Sequence, residues 1–109
     1  MIELIVFNYL KKHLSVPVKV ERDENLDKYV YMEKTQNSGK FVHSCTMAIQ
    51  SYGGDYLNTL KLNEEVKEIM NSLIELDEIT KCELVSDYIF NDSVRKKNRY
   101  QAVFEIAYY

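Results

Sequence analysis

The spacing of polar and apolar positions changes several times along the chain, and each change predicts a new element. In residues 2–14, IELIVFNYLKKHL, the side chains of Ile2, Val6, Tyr9, Leu10 and His13 recur at helical spacing and share one face. Glu3 sits near the positive end of that helix's dipole, and Lys11, Lys12 and His13 sit near the negative end. Pro17 forbids continuation, so the helix ends by Ser15. In VPVKVER the period shortens to two: Val16, Val18 and Val20 alternate with Pro17, Lys19 and Glu21, and the proline suits a strand beginning or an edge. DENLDK is a polar connection, and YVYMEKTQ reads as a second strand. QNSGK, with a hairpin turn at Asn37-Ser38-Gly39, leads into a long third strand, FVHSCTMAIQSY.

Gly53-Gly54 ends the alternation. From Asp55 the helical period returns, with Tyr56, Leu60, Val66, Ile69, Met70, Leu73 and Leu76 on one stripe. One long helix over 55–76 is expected, with a distortion near Asn63, where Glu64 and Glu65 would follow a cap. A hairpin closes the chain. In CELVSDYIF, Cys82, Leu84, Tyr88 and Phe90 would share a face; in YQAVFEIAY, Tyr100, Ala102, Phe104, Ile106 and Tyr108 would do so, with Gln101 and Glu105 opposite. NDSVRKKN joins the two strands. The predicted order is α-β-β-β-α-β-β: an α+β fold in a single domain over 1–109, a mainly antiparallel sheet with both helices on one face.

Composition narrows the function. A net charge of −3 argues against a general nucleic-acid binder, which usually carries a basic domain. The apolar run Ile2–Leu10 is interrupted by Glu3 and Asn8, is too short to span a bilayer and lacks the basic start of a signal peptide. Nothing suggests export, so Cys45 and Cys82 are expected to be free, buried thiols. His43 and Cys45 face the same way on a strand, but only Cys82 and His13 remain to complete a zinc site, and neither belongs to a ligand motif. No elbow motif surrounds either cysteine, the carboxylates scatter along a helix surface, and no phosphate-loop, dinucleotide or zinc-protease motif occurs. No enzyme, cofactor or metal is expected.

Two features point towards assembly. Nine tyrosines suit half-buried sheets and subunit contacts. Between Leu62 and Asp92 stand nine acids (Glu64, Glu65, Glu68, Glu75, Asp77, Glu78, Glu83, Asp87 and Asp92) against Lys67 and Lys81, while residues 95–99 hold Arg95, Lys96, Lys97 and Arg99 and no acid. An acidic helix side, with Glu64, Glu68 and Glu75, and a basic hairpin tip are complementary surfaces, as a head-to-tail contact between copies requires. A solvated hairpin tip is the plainer alternative.

The stretches LSVPVKVE, YVYMEKTQ, MAIQSYGGDYLNTLKLNEEVKEIM and SDYIFNDSVRKKNRYQAVFEIAYY, in this order, resemble the tail-completion proteins of long-tailed bacteriophages and prophages, also called tail terminator, neck or tail-to-head joining proteins. The resemblance covers nearly the whole chain and rests on fold pattern, with no catalytic signature. It implies a structural protein that assembles in the host cytoplasm and ends in the virion. There it would form a homo-oligomeric ring, often a hexamer, on the head-proximal end of the tail tube. Its partners would be the tail-tube protein and a head-closure or connector protein, with DNA passing through the lumen without specific binding. The family's corresponding loop, here Asn91 to Asn98, makes ring or tube contacts. The chain departs from the pattern at Gly53-Gly54, expected to loosen the start of the long helix, and at ERDENLDK. Another neck component and a small non-enzymatic binding module are the alternatives.

Overall fold

The computed structural model describes residues 2–38 and 43–109. Helix α1 (Ile2–His13) buries Ile2, Val6 and Leu10, the apolar edge of the predicted stripe. His13 stays in solvent against the ring of Tyr9. After Pro17 the chain forms only a two-residue strand, β1 (Val18–Lys19), which pairs parallel with β2 (Lys28–Ser38). Proline cannot donate to a ladder, but its carbonyl still accepts from the Val30 amide at 2.9 Å, which is why it fits this edge. Asn37 and Ser38, expected in a turn, pair instead with Cys45 and Ser44 of β3 (His43–Gly53) and so lengthen β2. The rest of that expected turn, and Phe41 and Val42 of the expected strand, lie outside the described residues.

The closing hairpin is β4 (Ile79–Ile89) and β5 (Tyr100–Tyr108), giving a five-stranded sheet in the order β1-β2-β3-β5-β4. All pairs except β1–β2 are antiparallel. The α+β class and the element order are as the sequence predicts.

The second helix departs from expectation in three ways. α2 spans Tyr56–Asn71, stops at Ser72, and is followed by a 3-10 turn, Leu73–Glu75. Ser72 marks the stop: its amide and hydroxyl both donate back to the Ile69 carbonyl, and the Tyr9 hydroxyl of α1 meets the Ser72 hydroxyl at 2.6 Å. The cap is Asp55, whose carboxylate accepts from the Asn58 amide at 2.7 Å; Asn63 caps nothing and lies buried in undistorted helix. The buried face runs through Thr59, Leu62, Asn63, Val66 and Met70, while Tyr56 points to solvent. The predicted stripe held Val66 and Met70 of this face but left out Leu62, and Thr59 and Asn63, being polar, gave it no signal.

Thr59 belongs to this face because of Gly53. A Cβ on Gly53 would lie 2.3 Å from the Thr59 amide nitrogen, so the missing side chain lets α2 touch the end of β3. The Thr59 hydroxyl accepts from the Gly53 amide at 3.1 Å. The glycine pair tightens the helix start where the sequence suggested loosening; only Gly54, at φ +90, uses the left-handed freedom of glycine.

One core lies between the sheet and both helices. It joins Ile2, Val6 and Leu10 of α1 to Val66 and Met70 of α2, over Val30, Met32, Met47, Ile49, Phe104 and Ile106 of the sheet. Glu3 and Lys34, 2.8 Å apart, close its α1–β2 side.

Candidate assembly surface

The four bases of the hairpin tip do not form one solvated cluster. Asp92 and Lys97 pair through both backbone hydrogen bonds, at 2.9 and 3.0 Å, and close a tight loop in which Lys96 takes a left-handed conformation, φ 54. The Asp92 carboxylate accepts from the Arg95 amide at 3.1 Å, an aspartate turn that orients the loop. Asp92 is also nearly fully buried, with 4% of its surface exposed.

Burial reaches this side of the sheet because two loops fold across it. Tyr29 and Tyr52 point away from the helices, yet neither has exposed surface; their rings stack with centroids 4.5 Å apart. The Tyr52 hydroxyl donates to Asp92 at 3.0 Å and accepts from Arg99 at 3.1 Å. Arg99, 7% exposed, also donates to Gln50 and to the Phe90 carbonyl, and its guanidinium stacks over the Phe90 ring. Gln50 donates to Gln101 at 2.7 Å, and Gln101 donates to the Tyr88 hydroxyl. Buried polar groups are tolerable when connected in this way. Burial alone would raise the Asp92 pKa. The Arg95 amide, the Tyr52 hydroxyl and the nearby Arg99 outweigh it and hold the carboxyl below the ordinary value of 3.8.

Arg95 lies 3.3 Å from both Asp92 and Glu24, and the Lys97 ammonium donates to the Leu26 carbonyl at 3.0 Å. The polar connection of residues 20–27 is therefore the dock of the tip. Of the four predicted contact residues, Arg99 is internal, Arg95 and Lys97 are engaged within the chain, and Lys96 alone is an exposed base without an ion-pair partner among the described residues. The expectation that all four bases present one basic contact surface is corrected on this point. The sequence showed four bases within five residues, but Asp92 and Glu24, which compensate them, come from outside that stretch.

The acidic side is also only partly as expected. Glu64 and Glu68 lie together on α2, where they line a groove of about 450 Å³ with Lys67, Met70, Leu84 and Phe104. Glu75 lies in the 3-10 turn and does not line it. Lys67 is held between Glu64 at 2.7 Å and Asp87 at 2.6 Å, and Asp87 also accepts from the buried Asn63 at 2.6 Å. No ion pair among the described residues joins Glu64, Glu68 or Glu75 to the tip.

The feature that sequence reasoning missed is β4. Its ladder slips between Leu84 and Ser86, and this bulge turns the strand over. Leu84 opposes Phe104 on the helix face, but Tyr88 opposes Gln101 on the other, so Tyr88 and Phe90 do not share the face of Cys82 and Leu84. β4 also lies at the sheet edge, where Leu84, Val85, Tyr88 and Ile89, and Phe90 just after it, are exposed, Val85 by 58%. No protein-family model matches this sequence, and no curated protein matches it. The geometry of these surfaces therefore carries the functional argument.

The remaining polar groups offer little chemistry. Cys45 and Cys82 are both free; burial raises the Cys45 thiol and pushes the Cys82 thiol up to about 11. Such thiols are poor nucleophiles at neutral pH. Among the described residues, no three His, Cys, Asp or Glu side chains converge as metal ligands, and no helix is long and apolar enough to cross a membrane.

Proposed function

We propose that this chain is a structural, non-enzymatic assembly protein: a tail-completion protein of a long-tailed phage or prophage. It forms a ring at the head-proximal end of the tail tube, ends tube growth and joins tail to head. The observation that supports an assembly role is β4, an eleven-residue edge strand with a run of exposed apolar side chains. The bulge blunts this edge, but the apolar side chains it leaves exposed form a surface for another chain. The phage reading comes from the resemblance of the sequence to that family. In this role the neighbouring copy, the tail-tube protein and a connector protein are the partners. DNA passes the lumen without specific binding, since the tip offers one unpaired base per copy.

The test is removal of the gene from the phage or prophage that carries it, with electron microscopy of the particles. Tails of uncontrolled length and heads without tails are expected, both restored by the intact gene. Normal-length tails joined to full heads would refute the reading. β4 also favours a second reading, a binding module that takes up an extended peptide as an additional strand. Such a module would stay monomeric and leave particles unchanged.

A further inference from the structure

Within the assembly reading, on which this inference rests, the groove and the hairpin tip define the contact between copies. The groove lies between the second half of α2 and β4; Leu84 is its exposed apolar wall, over the buried core side chains Met70 and Phe104. Its rim is acidic. Glu64 and Glu68 line it beside a single base, Lys67, which Glu64 and, from outside the lining, Asp87 already hold. The groove also reaches Met70 and Asn71, the last residues of α2, where the dipole is negative and the last turn carries no basic residue. A cation is therefore favoured at that end, and among the described residues no base besides Lys67 lines it.

The tip has the matching chemistry. Val94 is 85% exposed, the most exposed large apolar side chain among the described residues, and stands two residues from the unpaired Lys96. The loop carrying them is held by Asp92, Arg95 and Lys97, so little conformational entropy remains to be lost on docking. Tip and groove lie on opposite faces of the sheet, since the tip covers Tyr52 and the groove is walled by α2. A tip cannot enter its own groove; it can enter that of a neighbour.

We infer that Val94 of one copy seats against Leu84 of the next, above its buried Met70 and Phe104, while Lys96 meets Glu68, giving a heterologous contact that repeats around a ring. One small tip per contact belongs to the weak class of interfaces, suited to copies that assemble on a tube end.

A disulfide traps such a contact, because it forms only when Cα atoms come within about 7 Å. Two variants, both carrying Cys82→Ser, are mixed in oxidised glutathione: one with Val94→Cys, the other with Leu84→Cys. The expected result is a mixed dimer formed much faster than with Val20→Cys, an exposed position outside the tip, in place of Val94→Cys. Adding Lys96→Glu to the first protein should slow the linkage by roughly fivefold, the scale of one exposed ion pair, and Glu68→Lys in the second should restore it. A rate equal to the Val20→Cys control, with both variants folded by circular dichroism, overturns the inference. Sedimentation of the wild-type chain separates the two readings. Self-association without the 94–84 linkage rejects this contact and leaves assembly standing. Linkage together with normal particles from a gene deletion keeps the contact and rejects the phage role.

Discussion

Replacing Arg99 with Met removes the charge at the centre of the tip while leaving a stem of similar length over the Phe90 ring. The side chain is 8% exposed, and its guanidinium serves Gln50, Tyr52, the Phe90 carbonyl and, at 3.8 Å, Asp92. Removing one partner of a buried ion pair costs about 3–5 kcal/mol, because the other charge is left in low dielectric. Here Asp92 keeps Arg95 and the Tyr52 hydroxyl, so the expected loss is about 2–4 kcal/mol at neutral pH. That is a large share of the roughly 5–15 kcal/mol of a whole domain. In urea the midpoint should fall by roughly 1–2 M at an unchanged slope. Followed by circular dichroism, Lys96→Ser should move the same curve by less than about 0.5 kcal/mol. Combining Arg99→Met with Asp92→Asn should cost less than the sum of the two, since each removes the group that makes the other costly. An Arg99→Met protein within about 0.5 kcal/mol of wild type would refute the argument that the tip is anchored by a buried network.

Three further outcomes follow from the same structure. Gly53→Ala should unfold the protein or destabilise it by about 3 kcal/mol or more, because the added carbon would meet backbone of Asn58 and Thr59 at 2.3–2.5 Å; a thermal melt like that of wild type would contradict this. The Asp92 carboxyl titrates below its ordinary value of 3.8, so its contribution is complete above that pH and is lost as pH falls through the folded value; Asp92→Asn, less stable at pH 7, should lose stability less steeply than wild type below about pH 4 in acid titrations. At pH 8 neither Cys45 nor Cys82 should react with a thiol reagent at the rate of a free cysteine, since burial raises both, and both should react in urea; one rapid equivalent from the folded protein would show an activated thiol.

The sequence determined the elements whose signals are local. Ile2, Val6 and Leu10 set the face of α1, Pro17 stopped it, and Ala102, Phe104 and Ile106 set the buried face of β5. These follow from periods of 3.6 and 2, which neighbours in the chain establish by themselves. The element order followed from the same periods, and with it the α+β class. Glu64 and Glu68 were legible as one acidic surface because four residues separate neighbours on a helix. Tertiary structure decided the rest, wherever the deciding partner is far along the chain. Thr59 and Asn63 became core-facing because Gly53 admits α2 against β3 and Asp87 meets Asn63 across 24 residues. The bulge in β4 reversed Tyr88 because the register of a ladder belongs to two strands and not to one. The basic run ceased to be a basic patch because Glu24, Tyr52 and Asp92 converge on it from three separate segments, and burial makes such a charge seek partners before solvent.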